Sequence, residues 1–245
     1  MPVIDTETNN MLNPGRNLLT NRKIFPVVNF NASKINLAED TTDAFGKRVY
    51  QTPDGAKYPS VTTILSWYSA PAIKKWRDHV GEEAANKIVT QAKRRGTSLH
   101  TVCEKYLENN DSCLDKALPT TIDHFKPVKE WLDTNVDAIY CQEAALYSHY
   151  LKVAGRVDCI ALIHGVPWVI DFKTSIKIKK EERIKNYFMQ TSVYCVMFEE
   201  LTGIPVPNIG IIMVSDDGEF KVFAKQRDDY IHEFIRLKRM YDEKH

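Results

Sequence analysis

No stretch of this 245-residue sequence comes near the roughly 18 consecutive apolar residues of a membrane-spanning helix; residues 193–198 are typical of its longest apolar runs. The N-terminus lacks the basic-then-apolar order of a secretory signal, and Asp5 and Glu7 near its start disfavour a mitochondrial transit peptide. Neither charge sign is in excess. With 33 Lys+Arg against 32 Asp+Glu the formal net charge is +1, which excludes histone-like binding through bulk positive charge but leaves room for a local basic track. Cysteine is sparse and unpaired: Cys103, Cys113, Cys141, Cys159 and Cys195 are odd in number and widely spaced, with no C-x-x-C. A disulfide framework, a zinc site and an iron–sulfur cluster are therefore not expected, and the thiols read as reduced and mostly buried in a cytoplasmic, non-secreted protein. No internal repeat is visible. What remains, 43% hydrophobic and 27% charged, suits one sizeable globular domain.

Residues 1–47 show little periodicity, recurrent Asn, and breakers at Pro14 and Gly15, so they read as a loosely structured arm with a short strand at 25–30. A single domain is expected over 48–245, with its core at about 92–243. Pro53-Asp54-Gly55 between 48–50 and 58–61 is a hairpin signal, and Ser60 or Thr62 is placed to cap a helix through Ile64, Leu65 and Tyr68. Apolar residues at helical spacing predict helices over 72–94, 97–107 and 122–135. The pattern then reads as strands at 140–150, 154–163 and 166–173, a helix at 181–201 stopped by Gly203, strands at 209–214 and 220–224, and a closing helix at 227–241.

The most informative stretch runs from Gly155 to Thr174. If His164-Gly165 is a two-residue turn, Ile163 pairs with Val166, and the same register sets Asp158 directly opposite Asp171. Lys173 shares the Asp171 face, because side chains alternate along a strand. Two opposed carboxylates among apolar neighbours repel, and burial raises the cost. A hard divalent cation removes the conflict, since Mg²⁺ takes carboxylate oxygens, and a nearby ammonium can assist water and offset phosphate charge. This is a kit for metal-assisted phosphodiester hydrolysis. The competing reading is an Asp–Lys ladder on a solvated face.

The spacing of Gly155, Asp158 and Asp171-Phe172-Lys173-Thr174 resembles the PD-(D/E)xK nuclease superfamily, in particular its RecB-type exonuclease branch. Arg95-Gly-Thr-Ser-Leu-His100 is similar to that branch's helical histidine motif. Gln142-Glu143 lies on the strand before Asp158, where such nucleases often carry a glutamate, and Gln190-Thr-Ser-Val-Tyr194 is similar to the Q-x-x-x-Y motif. Tyr58-Pro-Ser-Val-Thr62, Lys75-Trp-Arg77 and Val169 to Ser175 further resemble the mitochondrial genome maintenance exonuclease group and its phage-encoded relatives. The resemblance covers roughly 48–243. It implies an α/β fold with a restriction-endonuclease-like core, a mixed sheet flanked by helices, and helical N-terminal elaboration. Without a transit peptide it implies a phage or bacterial source, hence a bacterial host's cytoplasm.

By the same resemblance His100, Asp158, Asp171, the Phe172 carbonyl and Glu143 are expected to hold Mg²⁺ or Mn²⁺, with no iron–sulfur cluster. Asp158, Asp171, Lys173 and His100 form the expected catalytic set, Lys173 activating water and stabilising charge. A lone helical histidine is ordinarily just half-buried, and a strand glutamate is ordinarily just hydrogen-bonded. Gln190 and Tyr194, four apart on one helix face, are expected near the substrate strand, or else as a core pair. Arg95, Lys177, Lys179, Lys180 and Arg183 belong to basic runs that would neutralise phosphates, unless they form only a solvated face. Trp67, Tyr68 and Trp76 offer rings for unpaired bases, or for the core. The reading is a Mg²⁺/Mn²⁺-dependent DNA exonuclease favouring single strands or single-stranded ends, whose substrate and partner is DNA. The alternatives are a duplex-end recombination exonuclease of the same superfamily and a non-catalytic DNA-binding module on its fold.

Overall fold

The computed structural model describes residues 17–20, 22–43 and 48–245. Its architecture is α/β, with two sheets. A small antiparallel sheet joins β1 (Glu39–Thr42), β2 (Arg48–Gln51) and β3 (Lys57–Pro59). Helices α1 (Val61–Val80), α2 (Glu82–Leu107) and α3 (Pro119–Asn135) follow. The main sheet is built from β4 (Val136–Ser148), β5 (Val153–Ile163), β6 (Val166–Ser175), β7 (Asn208–Ser215) and β8 (Phe220–Gln226), in that spatial order. Helix α4 (Lys185–Thr202) crosses over between β6 and β7, the one parallel pair in this sheet, and α5 (Asp228–Asp242) closes the chain.

The sheet is apolar on both faces, which is why its strands read as near-continuous hydrophobic runs. On one face Val169, Ile209, Ile211 and Met213 pack with residues of α1, α4 and α5; on the other Ile170, Ile212 and Val214 pack with α2 and α3. The β5–β6 hairpin has the register expected from its turn. His164 and Gly165 both have positive φ, 48° and 78°, the pattern of a type I′ turn, whose twist matches the flanking strands. Pairing runs from Ile163↔Val166 to Cys159↔Ile170 and ends one step short of Asp158 and Asp171.

Several boundaries differ from the sequence expectation. The described part of the arm is docked, not loose. Phe25 is buried against Tyr106, with ring centroids 5.5 Å apart, and its backbone N–H and C=O are both bonded by the Asn109 side chain. Two aromatic anchors, Phe25 and Phe30, and side-chain hydrogen bonds hold this segment, so it carries no periodicity to read. Residues 1–16 lie outside the described part. The expected strand at 25–30 is only a parallel bridge of Val27 to Ile139, while β1 went unexpected. The helical breaks also move. Ser60 caps α1 as expected, but α1 runs through Pro71 and ends at Gly81, whose φ of 85° and ψ of 146° cannot belong to a helix. Proline costs an interior helix one hydrogen bond, whereas this glycine conformation stops it outright. The 72–94 and 97–107 segments are accordingly redistributed, and α2 is continuous through Gly96.

Candidate metal and active site

The site gathers where α2 crosses the middle of the β4–β5–β6 sheet. On β4 the register flanks Glu143 and Asp158 with the pairs Gln142↔Cys159 and Ala144↔Val157, and Glu143 itself has φ 45°. That local distortion interrupts the ladder beside Asp158. One ligand atom each from His100, Glu143 and Asp158 lies within 4.8 Å of the others. The Phe172 backbone ties the group together: its N–H donates to Asp158 Oδ2 at 3.0 Å, and its carbonyl lies 2.6 Å from His100 Nε2. His100 Nδ1 stands 3.3 Å from Asp158 Oδ2. Both ring nitrogens thus face acceptor oxygens, and a neutral imidazole has one N–H to offer.

Asp171 is 1% exposed, and neither of its carboxylate oxygens has a well-formed hydrogen bond. Lys173 Nζ is 2.5 Å from Asp171 Oδ2, a charge contact, and lies 5.0 Å from the Tyr187 ring centroid. Burial pushes the Asp171 carboxyl up to about 6, against the pull of Lys173 and with a further push from Asp158. Burial alone would lower the Lys173 ammonium, but attraction to Asp171 and Asp158 outweighs it and the net direction is up. Glu143 is raised first by burial and then by the Asp158 charge. Acids lifted by burial and by one another, a buried carboxylate whose partner is a single ammonium, and a histidine between acceptors form a lone-pair-rich donor set. Oxygen and imidazole donors of this kind fit Mg²⁺ or Mn²⁺.

Of the remaining expected residues, some gather at this site and some do not. Gln190 Nε2 donates to Tyr194 Oη at 3.3 Å. Tyr194 is buried over Gly155, where an added Cβ would lie 2.9 Å from the ring, so Gly155 is required by close approach. Burial raises the Tyr194 phenol strongly, with Asp158 and Asp171 adding to it, which locates the ring beside the acids. Lys179 turns to the Tyr187 hydroxyl at 3.0 Å, while Lys177, Lys180 and Arg183 are exposed. Arg95 is held by Asp216 at 2.7 Å, at the far ends of β6 and β7 rather than among the acids. Trp67 packs edge-on against Tyr241, Trp76 is half-buried, and Tyr68 is exposed.

Three contributors were not singled out from sequence. Glu104 is four residues after His100 on the same α2 face, and its carboxyl is raised by burial and by Glu108; the i,i+4 spacing was the available signal. The Arg156 guanidinium bonds the Glu143 carbonyl, holding the distorted turn of β4. Tyr187 lies under both Lys173 and Lys179.

No family model matches the chain. Mouse mitochondrial genome maintenance exonuclease 1 is 26% identical to it over 129 residues, covering 49% of this chain and 38% of the relative. The chain therefore spans less than half the length of that relative. Among solved structures, a Eubacterium rectale protein provisionally described as an exonuclease aligns with 61% of this chain and 65% of its own, at 14% identity and a TM-score of 0.44. The sequence match, taken with the mixed five-stranded core, supports an exonuclease-like nuclease superfamily for this chain.

Proposed function

We propose that this protein is a Mg²⁺/Mn²⁺-dependent DNA exonuclease that prefers single-stranded DNA or single-stranded ends. The observation that carries the reading is the convergence of His100, Glu143 and Asp158, with the buried Asp171 carboxylate next to them on β6 and paired with Lys173. The mouse relative's name supports nuclease chemistry.

In this reading His100, Glu143, Asp158, Asp171 and the Phe172 carbonyl hold the cation. When bound, such an ion withdraws electron density from phosphate oxygens and from water. The protein's own groups do the positioning. The Phe172 N–H fixes one Asp158 oxygen, and Arg156 fixes the backbone of Glu143, so the acidic side chains are oriented from behind. Lys173, kept as an ammonium by Asp171 and Asp158, offers charge and N–H donors to the scissile phosphate. Water's oxygen bonds to phosphorus as the 3′-oxygen leaves, giving a 5′-phosphate and a 3′-hydroxyl. Lys177, Lys179, Lys180 and Arg183 lie on the segment leaving β6 and supply charge to the adjoining backbone.

The reading is tested by supplying purified protein and Mg²⁺ with circular single-stranded, linear single-stranded and linear duplex DNA. Degradation of the linear single strand, with the circle intact and the duplex slower, is expected. Cutting of the circle, or a clear preference for blunt duplex, contradicts it.

A further inference from the structure

A cavity lies away from the acids. It has a volume of about 330 Å³ and opens between α2 and α3, walled by Arg94, Arg95, Ser98, Thr120, Thr121 and His124. It is not part of the cation site. Ser98 and His100 are two positions apart on α2, about 200° around the helix, so they face nearly opposite ways.

Four features make this cavity suited to an anion. The first is charge: Arg94 and Arg95 face a single carboxylate on the wall, Asp216. That carboxylate holds only Nη1 of Arg95. The second is an unused donor, since Arg95 Nε is buried with no hydrogen-bond partner. The third is His124, which is 7% exposed and makes no hydrogen bond; its contact is Nε2 at 3.5 Å from Asp216 Oδ1. Its imidazole therefore lines the cavity with its closest polar contact on the same Asp216 that holds Arg95. The fourth is the start of α3. Its N-cap, Leu118, is 63% exposed and provides no side-chain cap, Pro119 has no N–H, and the first backbone bond to Leu118 comes from Ile122. Among the described residues the Thr120 and Thr121 N–H groups make no backbone hydrogen bond, and they lie at the positive end of a 17-residue helix.

We infer that this cavity binds a phosphate group of a nucleic-acid strand, as a subsite separate from the hydrolytic centre. The inference builds on the nuclease reading, because that reading supplies the strand. Arg95 and His100 are five residues apart on α2, about 7.5 Å along its axis and about 140° around it, so a strand joining the two sites curves over the helix. A strand engaged at the acids would pass the N-terminal part of α2 to reach the cavity. Gly96 helps there: its place for a Cβ is 3.8 Å from Thr174 Oγ1, so α2 lies close over the end of β6 and the two sites share one edge of the sheet. The occupant is either an internal phosphodiester or a terminal phosphate; the donors suit both.

The test is equilibrium binding of a fluorescent single-stranded oligonucleotide to the full chain in EDTA, which separates binding from cleavage. Three forms of the oligonucleotide are used: 5′-phosphorylated, 3′-phosphorylated, and hydroxyl at both ends. Arg94→Gln removes an exposed charge. Arg95→Lys preserves the pairing with Asp216 but lacks Nε. Lys126→Gln, elsewhere on α3, is the control. Arg94→Gln is expected to weaken binding about fivefold and to lower the log–log salt slope by about 0.7, as for one lost phosphate contact on a single strand. Arg95→Lys is expected to weaken it similarly at fixed salt, and the control to match the parent. Equal weakening for all three oligonucleotides identifies an internal phosphate; loss confined to one phosphorylated end identifies a terminal one. Parental affinity and slope in both arginine variants overturn the inference. If the parent binds and the variants weaken but Mg²⁺ yields no cleavage, the subsite stands and the nuclease reading falls.

Discussion

Asp171 concentrates the proposed chemistry into one side chain. Its carboxyl is buried, is paired with Lys173, and is pushed by burial up to about 6 from the ordinary 3.8. The folded state therefore holds this proton between about pH 4 and 6, where the unfolded chain has released it. The sign follows: in the metal-free protein this group's contribution to stability is present below about pH 4 and is lost as pH rises through 6. The amount is on the order of 3 kcal/mol. Thermal unfolding in EDTA from pH 4 to 7.5 should show a downward component in the parent that Asp171→Asn lacks; parallel pH profiles for the two proteins would refute the assignment. A second residue-level prediction concerns Gly155. Its Cβ position is 2.9 Å from Tyr194 Cε1 and 3.0 Å from Tyr194 Oη. Gly155→Ala should lower stability by about 1–3 kcal/mol through overpacking of a buried ring, and an unchanged urea midpoint would show that the ring gives way freely. The hairpin that carries Asp158, Asp171 and Lys173 was legible in the sequence because strand periodicity and a two-residue turn set its register, although the pairing stops one step before Asp158 and Asp171. The part played by Glu104 and Arg156 was not, because it depends on how α2 lies across β4, which no local pattern encodes.

At the scale of elements, strands were easier to read than helix ends. The His164-Gly165 turn requires two positive φ values, and that requirement is local, so it fixed the hairpin. The α1–α2 boundary was misplaced because proline looks like the stronger breaker, whereas the chain bends at Gly81. Gly81 at φ 85° and ψ 146° occupies a region closed to other residues. Gly81→Ala should cost about 1–3 kcal/mol, read as a lower urea midpoint with an unchanged slope. Stability equal to the parent would mean that the elbow can be remade as continuous helix. Helix α2 also carries the histidine of the proposed metal site on one face and the cavity's Arg94 and Ser98 on another, so its position against β6 sets both proposed sites at once. The arm was the least legible element, held by the scattered rings of Phe25 and Phe30 and by side-chain hydrogen bonds through Asn36 and Asn109.

Across the whole molecule, a net charge of +1 conceals local sorting. Acids cluster at His100 and around Asp158, while Lys177, Lys179, Lys180 and Arg183 follow β6, with the intervening Glu181 taken up by Lys225 at 2.5 Å. Near-neutrality is thus compatible with strong local attraction for a polyanion. Replacing those four cations by Gln should reduce the log–log salt slope of single-strand binding by about 3; an unchanged slope would assign them to a solvated face. The central claim, that the β5–β6 hairpin is a cation-dependent phosphodiesterase site, is tested most directly by hydrolysis of end-labelled linear single-stranded DNA across a Mg²⁺ titration from EDTA upward, for the parent, Asp171→Asn and Lys173→Ala. The account predicts a parent rate that rises with Mg²⁺ from background, and two folded variants that stay at background throughout. Parental turnover in either folded variant, or a parent equally active in EDTA, would contradict it.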